Sequence, residues 1–214
     1  MMSIVARLHD GVTRRRVGKL TEHFAALIPS GARVLDVGCG DGLLARRITL
    51  ERPDLNIVGI DVLRRPQTHI EVDLYDGKVI PFESGSFDAV MLVDVLHHTD
   101  DPMSLLREAV RVARSNLVVK DHTRDGLWAE QTLRFMDWVG NAHDGVALPY
   151  NYWTGAQWRQ AFDALGLEVE GWVTDLRLYP APASFAFGRS LHFVARLGLP
   201  ARGLIAPCAE SLAL

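Results

Sequence analysis

Apolar and polar positions along this chain switch between a helical and a strand-like period. Over residues 11–28, Val17, Leu20, Phe24, Leu27 and Ile28 fall on one face at helical spacing. Arg14, Arg15, Arg16 and Lys19 lie mostly off that face and read as its solvated side. Pro29-Ser-Gly31 ends this helix. Short apolar runs then predict strands at 33–37, 56–61, 69–73, 87–93 and 116–120. A helix is predicted over 42–51, and another opens at Asp101-Pro102, where proline suits the first turn. Leu105, Leu106, Ala109, Val112 and Ala113 give that second helix an apolar face. Strands alternating with helices imply an α/β fold, a mainly parallel sheet covered on both faces.

The second half departs from strict alternation. Thr154 and Gln157 have capping-box spacing, and Trp158, Ala161, Phe162 and Leu165 form the stripe of the helix that follows. Gly166 stops it, and a strand follows over 167–173. A Pro- and Ala-rich loop leads to a last strand at 190–196, with no helical pattern between the two. A long hairpin, and so an antiparallel final strand, is the expected result. Residues 122–153 fit no standard crossover. They carry Trp128, Phe135, Met136, Trp138, His143, Tyr150, Tyr152 and Trp153, with Trp128, Leu133, Met136 and Val139 expected along one short helix. Such an insert forms either a lid over an apolar acceptor or an additional packing layer.

Composition narrows the class. At 214 residues, 48% hydrophobic and 23% charged, the chain reads as one globular domain. Within it we distinguish an N-terminal helix (1–30), a ligand-binding half (33–121), the insert (122–153), a C-terminal half (154–197) and a tail (198–214). A net charge of -3 gives no basic footprint for nucleic acid. Cys39 and Cys208 make neither a disulfide framework nor a four-cysteine metal site. The N-terminus has no apolar signal region, and no run reaches the roughly 18 apolar residues of a membrane helix. A soluble, cytoplasmic protein, monomeric or homodimeric, is expected.

The candidate chemistry starts at the end of the first strand. Val34-Leu-Asp-Val37 runs into Gly38, Gly40 and Gly42, and a helix start follows. Such a turn brings main chain close to a bound molecule and offers it unpaired N–H groups. A dinucleotide fingerprint wants G-x-G-x-x-G, but here the third glycine comes one residue early, with Leu43 in its place. Asp36, inside the strand, suits a ligand carrying an amino or sulfonium cation better than a pyrophosphate. Asp61 closes the second strand, where a carboxylate can accept from both ribose hydroxyls. Asp73 closes the third, in reach of an adenine amino group. Cys39 reads as a small filler, since no base is paired with it in sequence.

These segments resemble the class I S-adenosylmethionine-dependent methyltransferases, in the small-molecule branch labelled methyltransferase type 11. The resemblance rests on Val34-Leu-Asp-Val-Gly-Cys-Gly-Asp-Gly42, Gly59-Ile-Asp61, Val72-Asp73-Leu74, Ile80-Pro-Phe82, Ser86-Phe-Asp-Ala-Val90 and Val95-Leu-His-His98 with Asp100-Asp-Pro102. It implies a three-layer, Rossmann-like sandwich around a seven-stranded sheet with a reversed last strand. It implies S-adenosylmethionine as cofactor, glycine-loop contacts to its methionine moiety, Asp61 at the ribose, Asp73 and Leu74 at the adenine, and Val62 and Val93 among the cofactor-binding residues. Arg64-Arg-Pro66 stands where the family usually has a helix.

Methyl transfer needs alignment above all, and a base only where the acceptor starts protonated. His97 and His98, after the fourth strand, and His122, after the fifth beside Asp121, are the candidate proton acceptors. His97 and His98 read equally as lining of the cofactor site. Lys120-Asp-His122 has no ligand partner at informative spacing, so no metal is expected. The expected function is O- or C-methylation of a small, apolar or aromatic acceptor. The alternatives are an NAD-dependent oxidoreductase or epimerase, and a non-catalytic module that binds the cofactor.

Overall fold

The computed structural model describes residues 4–141, 148–188 and 190–200. Its elements run α1 (Ile4–Leu27), β1 (Arg33–Val37), α2 (Leu43–Glu51), β2 (Asn56–Asp61), β3 (Val72–Leu74), β4 (Phe87–Val93), α3 (Pro102–Val112), β5 (Ala113–His122), α4 (Ala129–Asn141), α5 (Gly155–Ala164), β6 (Glu168–Val173), α6 (Ala183–Phe187) and β7 (His192–Gly198). A 3-10 turn, Leu96–His98, follows β4.

Seven strands form one sheet in the order β3-β2-β1-β4-β5-β7-β6. β1 pairs in parallel with both β2 and β4, and β4 with β5, while β7 is antiparallel to β5 and β6. The order reverses between β2 and β4 around β1. A crevice therefore opens at the carboxyl ends of these strands, where open α/β sheets bind ligands.

Alternation along the buried strands fills both faces. Leu35, Val37, Leu92, Leu117, Val119 and Phe193 point into one core, closed by α3 and by Trp158 and Phe162 of α5. Val34, Met91, Val118 and Val194 point into the other, closed by Leu20, Phe24 and Ile28 and by Ala45 and Ile48 of α2. The expected caps are present: Asp101 accepts from the N–H of Ser104 at 3.0 Å, and Thr154 with Gln157 forms the capping box of α5.

Several expectations are corrected. β3 is 72–74 rather than 69–73, so Asp73 lies inside the strand and Leu74 closes it. Ala113 starts β5 instead of lining α3, and β5 runs to His122. The loop before the last strand contains the short helix α6, absent from the pattern because five residues are too few for a period. In the insert, Trp128 precedes α4 with φ 60 and is 66% exposed, and Val139 is also exposed. Leu133 and Ala129 are the buried apolar positions, packed with Tyr152 and Leu191 in a small separate core. His143 and Cys208 lie outside the described residues. Among the described residues, no helix is long and apolar enough to cross a membrane.

Candidate active site

The first half of the site is the crevice at β1 and β2. Gly38, Gly40 and Gly42 all have positive φ. A Cβ on Gly38 would sit 2.5 Å from Val95, and one on Gly42 2.3 Å from Ile70, so side chains from two other segments close on this loop. Gly40 faces open space, and its N–H donates to Asp61 Oδ2 at 2.8 Å. Asp61 Oδ1 accepts from the N–H of Leu63, also at 2.8 Å. A carboxylate has about four acceptor positions, so Asp61 retains capacity for further donors. Val62 and Leu74 stand beside it as exposed apolar side chains, 52% and 45% exposed. A flat ligand against them would cover that surface. The register sets Leu74 beside Asp61 and Asp73 beside Ile60, with Asp73 exposed. Val93, half-buried, ends β4 opposite Lys120. Gly38, Gly40, Gly42, Asp61, Val62 and Leu74 are thus brought to one edge, with Asp36 behind them; Asp73 is set one register position aside. The residues fit an adenosyl sulfonium.

Asp36 is buried at this edge, and burial, reinforced by nearby Asp61, pushes its carboxyl up to about 8. The sign of the consequence is fixed. The unfolded chain loses this proton near 3.8, the folded chain near 8. Between those values the folded state holds the extra proton, so its stability falls as pH rises across that window and levels off above it. We expect urea denaturation to give a smaller stability difference between pH 5 and pH 8 in Asp36→Asn than in the wild type. Equal differences would refute the buried, protonated state. The Cys39 thiol is raised as well, by burial and then by Asp36, so the residue remains a thiol.

The second half lies at the carboxyl ends of β4 and β5. Asp94 leaves β4 with φ 56, a conformation Asp tolerates better than most residues. Its carboxylate accepts from Lys120, which is fully buried, and from Arg16 of α1. Arg16 is therefore a site residue and not part of a solvated face. Burial alone would raise Asp94, but Lys120 and Arg16 outweigh it and hold the carboxyl below its usual range. Burial lowers Lys120. His192 of β7 places Nδ1 3.3 Å from the Lys120 ammonium and Nε2 3.0 Å from the Phe187 carbonyl.

Asp121 organises the histidines. Its carboxylate accepts the N–H of Leu96 at 3.2 Å and of His122 at 2.8 Å, and stands 2.6 Å from His97 Nδ1 and 3.3 Å from His122 Nδ1. On the other side of His97, Nε2 lies 3.3 Å from Asp137 Oδ2, which also accepts from the hydroxyl of Tyr152. Burial disfavours a charged His97, but Asp121 and Asp137 prevail and raise it to about 10. His98 and His122 are lowered, first by burial; the neighbouring His97 charge adds to both. The Trp158 indole donates to the His122 carbonyl at 2.8 Å and fixes the end of β5. Asp94, Arg16, Asp137 and His192 escaped the sequence reading. The available signal was a charged residue interrupting or closing each apolar run, Asp94 after 89–93 and Lys120 after 116–119.

Around this cluster the insert exposes Leu127, Trp128, Phe135 and Trp138. A groove of about 470 Å³ runs between α4 and α6, lined by Gln131, Thr132, Phe135, Phe185 and Phe187.

Comparison with known proteins bears on this arrangement. Residues 10–171 match the family described as a methyltransferase domain. The chain is 29% identical over 124 residues to the 27-O-demethylrifamycin SV methyltransferase of Amycolatopsis mediterranei, covering 51% of this chain and 43% of that protein. It is 36% identical over 95 residues to the ubiquinone biosynthesis O-methyltransferase of Xanthomonas axonopodis pv. citri, covering 39% of each. The matched stretch thus spans less than half of either relative. An S-adenosylmethionine-dependent methyltransferase from Mesorhizobium loti shares the fold, with TM-score 0.61, 17% identity, and coverage of 83% of this chain and 96% of that one.

Proposed function

Because the chain belongs to the methyltransferase domain family, we propose that it transfers the methyl group of S-adenosylmethionine to a hydroxyl of a small, largely apolar acceptor. The carrying observation is the edge formed by Asp36, the glycine loop and Asp61, with Val62 and Leu74 left exposed beside it. We assign the ribose to Asp61, the adenine face to Val62 and Leu74 with Asp73 at its rim, and the cationic end to Asp36, Gly38, Gly40, Gly42 and Val93. Bound there, S-adenosylmethionine supplies an electrophilic methyl group.

The rest of the work is positioning. His97, with both ring nitrogens facing carboxylates, is suited to holding its neighbours in place rather than taking a proton. His122 is the better proton acceptor, because Asp121 faces its Nδ1 and fixes the tautomer that leaves Nε2 with its lone pair. The aromatic insert supports an apolar acceptor, since the groove between α4 and α6 adjoins Phe187, whose carbonyl holds His192 against this cluster. The names of the rifamycin and ubiquinone relatives favour oxygen as the methylated atom.

Calorimetry with S-adenosylmethionine and S-adenosylhomocysteine tests the donor site, and the absence of binding at millimolar ligand would end the proposal. A panel of phenols and apolar alcohols then tests the acceptor. His122→Asn is expected to slow methylation of a hydroxyl by about 10²- to 10⁴-fold while leaving donor affinity unchanged.

A further inference from the structure

We propose that the end of β4 and the insert together form a site for a divalent transition-metal ion, held by His97 Nε2, Asp137 and His98. Their ligand atoms lie within 4.8 Å of one another. No sequence spacing announces the set, since His97 and His98 are adjacent and Asp137 comes from α4.

One buried atom marks the site. His97 Nε2 is shielded from water and has no hydrogen-bond partner. Asp137 Oδ2 is 3.3 Å away, an ion pair without a hydrogen bond. In the metal-free protein the charged His97 ring and the Asp137 carboxylate form an ion pair at that distance, and a metal ion that displaces the Nε2 proton would bond both partners directly. With ligand distances of about 2.0–2.1 Å, a separation of 3.3 Å gives an angle of about 107° at the ion, close to tetrahedral.

The surroundings match what metal-bound histidines and carboxylates require. His97 Nδ1 lies 2.6 Å from Asp121, the carboxylate–histidine arrangement that orients a metal ligand. Asp137 is in turn held by the Tyr152 hydroxyl. His97 and His98 have ring centroids 4.0 Å apart, and His98 is only half-buried, which leaves an approach from solvent. Two imidazoles and one carboxylate favour zinc or a neighbouring first-row ion. A fourth position stays open to water or to an oxygen of the acceptor. The neighbouring set Asp94, His97, Asp121 and His122 is different in kind. There the Lys120 ammonium already sits on Asp94 and would repel a second cation.

The test is a Co²⁺ titration of the chelator-treated protein followed by visible absorption, with Zn²⁺ as competitor in calorimetry. One Co²⁺ per chain with the intense visible bands of a near-tetrahedral ion is expected, displaced by Zn²⁺. His98→Ala, altering the most accessible ligand, should weaken binding by about 10- to 100-fold with an unchanged circular dichroism spectrum; Asp137→Asn serves as the second variant should the first misfold. No such Co²⁺ complex, or equal affinity in a folded variant, would overturn the site and leave a proton on His97. The result is independent of the donor assignment: failed S-adenosylmethionine binding with intact Co²⁺ binding would defeat the functional reading and not this one.

Discussion

Asp61→Ala is expected to lower affinity for S-adenosylmethionine by about 10²- to 10⁴-fold. Two hydroxyl bonds to a carboxylate, at about 1.5–3 kcal/mol each, amount to about 3–6 kcal/mol, and each 1.4 kcal/mol is tenfold. The same carboxylate ties the glycine loop to β2 through the Gly40 N–H and fixes the turn after β2 through the Leu63 N–H, so each of these two N–H groups loses its acceptor. Asp61→Asn is expected to bind nearly as poorly. One of its two side-chain positions becomes an NH₂ facing a backbone N–H, donor against donor. Asp73→Ala, at an exposed position off the Asp61 register, should cost about tenfold or less. Calorimetry on the three variants, with thermal unfolding as the control for folding, separates these outcomes. Donor binding by Asp61→Ala at the wild-type level would remove the basis for placing the adenosyl group at this edge.

The contrast between Asp61 and Asp73 also shows what the sequence discloses and what it hides. β1, β2 and β4 stand at their expected positions because each is a largely apolar run bounded by a glycine or a polar residue. α3 and α5 begin where expected because their first turns are capped by adjacent residues, Asp101 and Thr154. The glycine loop is legible for the same reason: its chemistry is local. β3 has three residues, too few to express a period, and its displacement moved Asp73 from the strand tip. The acceptor side is the opposite case. His97, Asp121, Asp137 and Tyr152 come from four separate segments, and only packing sets them together. The sequence sets Trp128, Leu133, Met136 and Val139 along one stripe of a lid or an additional packing layer. The fold leaves Trp128 and Val139 at the surface, while Leu133 and Met136 of that stripe, with Ala129, pack toward Tyr152 and Leu191.

Asp94→Ala is expected to be strongly destabilising, costing about 3–5 kcal/mol. Lys120 has no exposed surface and has lost the water that would solvate its ammonium. Asp94 is the carboxylate it touches; its other polar neighbour, His192 Nδ1, is 3.3 Å away. Removing Asp94 leaves a charge that must shed its proton or drag the end of β5 open. Against a total stability of about 5–15 kcal/mol, and about 2–4 °C per kcal/mol for a chain of this size, the melting temperature should fall by about 6–20 °C. Arg16 is the weaker partner. Its side chain is 36% exposed, so solvent screens it and Arg16→Ala should cost about 1 kcal/mol or less. The decisive variant is Asp94→Ala combined with Lys120→Met. Taking both charges out of the core should restore most of the stability lost in the single mutant, because an apolar pair of similar volume has no desolvation to repay. Urea denaturation of the wild type, both single mutants and the double mutant gives the coupling directly. Additive losses, or an Asp94→Ala protein within 1 kcal/mol of the wild type, would mean that the Lys120 ammonium finds solvent or another anion, and that β4 and β5 are not locked together by this pair.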